Sequence, residues 1–180
     1  MNKKILGFGG SNSANSINKT LASYVSYRIE DVNVTIADLN DYIMPLYSID
    51  LETQNGIPQQ AYEFEKLIKE ADGIVLSLAE HNGLPSASFK NLSDWMSRID
   101  PKVWKDKPIM LMATSPGERG GASVLGIMKG LMPYAGGNVV SDFSLPSFYD
   151  NFSENGIQDE GLKKELFEKI KIFENEINKN

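Results

Sequence analysis

The strongest constraint on this chain is an alternation. Short, nearly unbroken apolar runs take turns with longer stretches whose apolar residues recur at helical spacing. The runs are Lys4–Gly9 (KILGFG), Val32–Ala37 (VNVTIA), Gly73–Ala79 (GIVLSLA) and Pro108–Ala113 (PIMLMA), with Asn138–Ser141 (NVVS) as a shorter fifth. Runs without polar alternation suit strands covered on both faces, as in a parallel sheet. Between them lie helical patterns over Ser16–Ile29, Pro58–Glu70, Ser86–Arg98 and Gly121–Met132, and a last one over Leu162–Ile177 follows the fifth run. Strand and helix alternate five times. That order predicts one doubly wound α/β domain over residues 1–180, with five parallel strands and helices on both faces. No repeat or linker interrupts it, and Tyr149–Gly161 reads as a surface loop before the last helix.

Composition narrows the chemistry. There is no cysteine and a single histidine, His81. Thiolate catalysis, disulfides and Cys-based metal sites are therefore excluded, and a transition-metal centre is disfavoured. Twenty-four Asp and Glu against 18 Lys and Arg leave a net charge of −6. A surface of that sign repels nucleic-acid backbones and anionic lipid. No apolar stretch approaches the roughly 20 residues of a membrane span. The N-terminal stretch reads as a buried strand rather than an export signal, so the expected location is cytoplasmic.

In doubly wound sheets, ligands sit beyond the carboxyl ends of the strands. Three loops there are unusual. The first, Gly9-Gly10-Ser11-Asn12-Ser13-Ala14-Asn15-Ser16-Ile17-Asn18, is rich in small, neutral hydrogen-bonding residues and enters a helix. Main-chain N–H groups and the helix dipole at such a place favour a phosphate. Four readings compete. A dinucleotide fingerprint lacks its third glycine, although Asp38 mimics the ribose-binding acid. A P-loop lacks both glycines, although Asn18-Lys19-Thr20 imitates its end. A flavodoxin-type hydroxyl-rich loop fits, and so does a plain helix cap through Ser16. The second loop, Glu80-His81-Asn82-Gly83-Leu84-Pro85, carries a turn signal. The third, Thr114-Ser115-Pro116-Gly117-Glu118-Arg119-Gly120-Gly121, has glycines that allow main chain to approach a flat ligand. Phe89, Leu92, Trp95 and Met96 form an apolar stripe expected in the core. Trp104 reads as semi-buried under a loop.

These loops together resemble the NADPH-dependent FMN reductase family of flavodoxin-like quinone, chromate and azo-compound reductases. The family's first loop, G-S-x-R-x-x-S-x-N, stands here as Gly10 to Asn18. Its P-E-Y-N-G-x-x-P followed by L-K-N-x-x-D-W stands as Ala79 to Pro85 and then Phe89 to Trp95. Its S-x-G-x-x-G-G stands as Ser115 to Gly121. The resemblance runs from about residue 3 to 140. It implies a flavodoxin-like sandwich with strand order 2-1-3-4-5 and an FMN-dependent enzyme. Such an enzyme takes electrons from NADPH or NADH to a small acceptor: a free flavin, a quinone, an azo compound or a metal oxyanion. It further implies that Ser11, Ser13, Ser16, Ile17 and Asn18 surround the phosphate. Ala79, Glu80, His81, Asn82 and Gly83 would border the flavin ring, and Ser115, Gly117, Gly120 and Gly121 would close its other side. A homodimer or homotetramer is implied, with the Asp94–Trp95 helix near the contact. Ser13 replaces the family arginine, His81 its tyrosine and Ala79 its proline. An electron carrier without catalysis, and a flavin-free binding protein, are the rival readings.

Overall fold

In the computed structural model, which describes residues 2–179, five parallel strands form one sheet. They are β1 (Lys3–Gly10), β2 (Val32–Ala37), β3 (Gly73–Leu78), β4 (Pro108–Thr114) and β5 (Asn138–Leu145), in the order β2-β1-β3-β4-β5. Five longer helices connect and cover them: α1 (Ile17–Ser26), α2 (Gln59–Glu70), α3 (Ala87–Ile99), α4 (Ala122–Leu131) and α5 (Glu160–Ile177). Helices α1 and α5 pack one face, around Leu21, Val25, Phe143 and Phe173. Helices α2, α3 and α4 pack the other, around Phe8, Phe64, Phe89 and Leu111. This is the flavodoxin-like sandwich expected. Every residue of β3 and β4 is buried, which is why their sequences are near-continuous apolar runs.

Three expectations need correction. Strand β5 is twice as long as NVVS, because beyond Val140 it is an edge strand with alternating burial. Its Asp142 and Ser144 break the apolar run that signalled the central strands. Residues 149–161 are not a plain loop. A short helix, Phe148–Asn151, leads into a ribbon pairing Phe152–Ser153 with Gly156–Ile157, and Gly156 and Ile157 are buried. Trp104 is not semi-buried but core, 2% exposed. It lies nearly parallel to Phe8 and Phe89, at centroid distances of 6.5 and 5.9 Å.

The turn after Trp104 places Lys105 and Asp106 at φ of 53° and 57°. This conformation sets the Lys105 ammonium 2.8 Å from buried Glu65 and 2.6 Å from Asp100, while Lys69 reaches Glu65 at 2.9 Å. Burial alone would raise the Glu65 carboxyl pKa. The hydrogen bonds and charge of Lys105 and Lys69 outweigh it and hold the pKa below its usual value. A carboxyl lowered on folding stabilises fully above its unfolded pKa, and that stability is lost as pH falls through the folded one. Lys105→Met removes the stronger partner and raises the Glu65 pKa. The variant should therefore begin to unfold at a higher pH in an acid titration followed by circular dichroism, whereas an unshifted acid limb would show the pair to be inert.

Candidate functional site

Strands β1, β3 and β4 are neighbours and run parallel, so the three unusual loops leave the sheet at one edge. Direct contacts tie them together. The Ser86 hydroxyl, 1% exposed, donates to Gly10 O at 2.8 Å and caps α3 by accepting from Phe89 N at 3.2 Å. The Glu80 carboxylate accepts from Val124 N at 3.0 Å. The N-cap of α4, Gly121, has no capping side chain, so the loop after β3 supplies the cap for the helix after β4.

The first loop is held by its own side chains. Ser11 N–H donates to Gly9 O at 2.8 Å, and Ser11 Oγ accepts from Ser13 N at 3.1 Å. Ser16 is the N-cap of α1, with Oγ accepting from Lys19 N at 3.1 Å. These bonds leave the main-chain N–H groups of Ala14, Asn15, Ile17 and Asn18 without a partner among the described residues. Asn18 is only 3% exposed, so its N–H is an orphan in a sheltered place. Such donors, converging at a helix N-terminus, fit an anion.

The Asn18 side chain points elsewhere. Its Oδ1 accepts from Ser77 Oγ at 2.7 Å and from Thr114 N at 3.0 Å, and its Nδ2 donates to Thr114 O at 3.1 Å. Ser77 and Thr114 are contributors that the sequence reading did not single out. Their signal was present, since a lone serine inside GIVLSLA must find a buried partner. Asp38 and Lys19, the residues behind the two rival phosphate motifs, are paired with each other. Asp38 also accepts from Asn40 N at 2.9 Å and Asn40 Nδ2 at 2.8 Å. Burial would raise the Asp38 pKa, but the Lys19 and Asn40 hydrogen bonds hold it below its usual value. Its carboxylate is thus committed to a protein contact rather than to a ribose.

The second loop is a small ribbon. Glu80–His81 pairs with Leu84–Pro85 across a turn at Asn82 (φ 54°) and Gly83 (φ 82°). Two consecutive left-handed residues are what a tight hairpin of this twist requires. Ala79 is buried at its base, and His81 is exposed at its tip. In the third loop, Ser115 Oγ donates to Gly117 O at 3.3 Å, and Gly117 O also accepts from Gly120 N and Ser147 N at 3.1 and 2.9 Å. Gly120 and Gly121 have φ of 55° and 77°. A Cβ on Gly120 would stand 2.8 Å from Leu145 C and Pro146 N, so position 120 admits no side chain. This tied-down turn leaves the sheet at the same edge as the ribbon.

Beside this edge, the chain after β2 forms a strap. A 3₁₀ turn at Leu39–Tyr42 leads through an extended stretch to a short helix, Ile49–Asn55. The family-motif residues Asn91 and Trp95 hold that stretch. Asn91 Oδ1 accepts from Tyr47 N at 2.8 Å, and the Trp95 indole N–H donates to Pro45 O at 2.8 Å. Trp95 is core, as the stripe predicted, and its polar atom is spent on the strap.

Among the described residues, no helix is long and apolar enough to cross a membrane, and no group of His, Asp or Glu side chains is arranged to hold a metal ion. The sequence profile of the NADPH-dependent FMN reductase family matches residues 3–150. An NADPH:quinone oxidoreductase of Arabidopsis thaliana is 41% identical over 80 residues, 44% of this chain and 40% of that protein, so the match spans under half of either. A 2-hydroxy-1,4-benzoquinone reductase of a Burkholderia species is 32% identical over 133 residues, covering 73% of this chain and 70% of that protein. The fold is that of a flavoenzyme NAD(P)H:(acceptor) oxidoreductase from Paracoccus denitrificans, with a TM-score of 0.77 at 24% identity and 98% coverage of both chains.

Proposed function

The chain belongs to the NADPH-dependent FMN reductase family, and on that premise we propose that it is an FMN-dependent NAD(P)H oxidoreductase acting on a small acceptor of the quinone class. The observation that carries this is the set of unpaired N–H groups of the first loop, on the sheet edge where the ribbon and the glycine turn also stand. When bound, FMN accepts a hydride from a nicotinamide and passes the electrons on. The protein's part is to bind, orient and shelter.

The main-chain N–H groups of Ile17 and Asn18, with the hydroxyls of Ser11 and Ser13, hold the phosphate. Ser16 serves it indirectly, by capping the helix. Lys19 is bound to Asp38, and Ser13 stands where the family has arginine. The phosphate charge is therefore met by neutral donors and the helix dipole. Ala79, Glu80, His81, Asn82 and Gly83 border one side of the ring, and Ser115, Gly117, Gly120 and Gly121 the other. Glu80 acts through its cap on α4. No side chain is needed as a nucleophile, in keeping with a chain that has no cysteine. The protein works in the cytoplasm as one domain spanning residues 1–180, whose first and last residues lie outside the described ones.

A groove of about 390 Å³ between α3 and α4, lined by Leu84, Phe89, Trp104, Met128 and Leu131, supports assembly as a homodimer or homotetramer. Leu84 and Leu131 are 54% and 52% exposed on its rim. Light scattering should give a particle at least twice 20.0 kDa. Leu131→Glu should halve it, and a particle of single-chain mass at every concentration would refute the assembly.

The test of the function is direct. Protein mixed with FMN and dialysed should retain it, with visible bands displaced from those of free flavin. The loaded protein should then oxidise NADPH or NADH in the presence of a quinone. Loss of FMN on dialysis at micromolar concentration would refute the flavin site. Retention without nicotinamide oxidation would make the chain an electron carrier.

A further inference from the structure

We infer that the Asn18 side chain is a positioning group that fixes the phosphate loop relative to the ring loops. The inference rests on the flavin reading above. Both acceptor sites of Oδ1 are taken, one by the Ser77 hydroxyl at 2.7 Å and one by Thr114 N–H at 3.0 Å. Nδ2 returns a bond to Thr114 O at 3.1 Å. The amide thus grips the main chain of a single residue at two points, through its N–H and its C=O, much as a neighbouring strand would.

Only a side chain carrying both a donor and an acceptor can make that grip. An aspartate lacks the donor and an aliphatic residue lacks both. Residue 18 is the second of α1, in the turn that carries the orphan N–H groups. Thr114 is the last residue of β4, immediately before Ser115 and the glycine turn. The Thr114 hydroxyl continues the chain of bonds to Leu145 O, at the end of β5, at 2.7 Å. One buried line therefore runs from the phosphate loop through β4 to β5, with Ser77 of β3 as a branch, and Asn18 is the link to both. A ligand touching both the first and third loops meets them at a separation that this link sets.

The test uses the full chain, Asn18→Ala and Ser77→Ala. Each is titrated with FMN and with riboflavin, which lacks the phosphate, and flavin reduction by NADPH is timed at saturating flavin. Positioning predicts that Asn18→Ala weakens FMN, which spans both loops, roughly tenfold, as expected for losing buried hydrogen bonds, and weakens riboflavin as well, because Thr114 leads directly into the ring loop. It also predicts slower reduction of the saturated protein, because the ring loop has moved relative to the phosphate loop. Ser77→Ala, which removes one bond of the line, should shift both flavins in the same direction by less. A loss confined to FMN in Asn18→Ala, with the reduction rate of the saturated protein unchanged, would make Asn18 a phosphate ligand and overturn the inference. A lower melting temperature with unchanged affinities and reduction rate would make the line merely structural and overturn it as well. If Asn18→Ala does not fold, Ser77→Ala decides, and equal affinities to the parent for both flavins refute positioning. A parent chain that binds neither flavin refutes the flavin reading itself, an outcome distinct from all of these.

Discussion

Gly9→Val should abolish FMN retention and lower folding stability by about 3 kcal/mol or more, the upper range for overpacking a close contact. Gly9 lies in β1 one residue before its end, with α1 lying directly upon it. A Cβ at this position would stand 2.5 Å from Lys19 N and 2.8 Å from its Cα. Those atoms are helix backbone, so they cannot swing aside as the tip of a side chain would. Relief requires α1 to lift off the sheet, and two things fail when it does. The Ser16 cap on Lys19 N is strained, and the Asn18 grip on Thr114 is pulled apart. The melting temperature should fall by roughly 6–12 °C for a domain of this size. Gly117→Ala is the matching control. Its added Cβ would meet only Ser115 Oγ, at 3.9 Å, and its backbone is not left-handed. It should melt with the parent. Equal melting of Gly9→Val and the parent would show that α1 does not depend on this close approach.

The glycine at position 9 also illustrates what could be read in advance. The two central strands announced themselves because both faces of each are covered, so that Gly73–Leu78 and Pro108–Thr114 contain almost nothing polar. Edge strand β5 is buried on alternate residues, and only its first part was visible. The strap at residues 43–47 left no trace in local pattern. It is held by Asn91 and Trp95, which are far away in sequence, and its main chain finds its partners on side chains rather than in a ladder. Trp104 was placed too far out because it stands between Asp100-Pro101 and Lys107-Pro108, which look like loop. Its stacking partners Phe8 and Phe89 come from two other elements.

The candidate site divides in the same way. Its location was legible, since glycine, serine and asparagine gather in loops that the topology brings to one edge. The division of labour within it was not. Ser16 read as either a polar group awaiting a ligand or a helix cap, and Asn18 and Glu80 as polar groups awaiting a ligand. In the fold, their side chains are spent on capping α1, gripping β4 and capping α4. A polar side chain in a loop has several partners within reach, and composition cannot say which one wins. What these side chains leave over is main chain, and it is there that the phosphate should be held.

Ile17→Pro tests that conclusion with little disturbance to the fold. Ile17 is the first helical residue of α1, where proline is well tolerated because its missing N–H has no partner within the helix. The preceding residue, Ser16, has φ −67° and ψ 112°, the extended conformation that a following proline demands. The Ser16 bonds to Lys19 N and Thr20 N involve other atoms and survive. Some apolar contact is lost, since Ile17 packs against the α1–α5 core and a proline ring is smaller. The helix itself should persist by circular dichroism. What disappears is a single N–H aimed at the proposed phosphate. A hydrogen bond to a charged group contributes about 1.5–3 kcal/mol, so FMN should bind roughly 10- to 150-fold more weakly while riboflavin stays within about twofold. The loop holds no arginine, and its neighbour Lys19 is held by Asp38. An unchanged FMN affinity would mean that the amide of residue 17 does not face the phosphate. An equal loss for riboflavin would mean that the substitution had moved the helix, and that the selectivity for a phosphorylated flavin is built elsewhere on the edge.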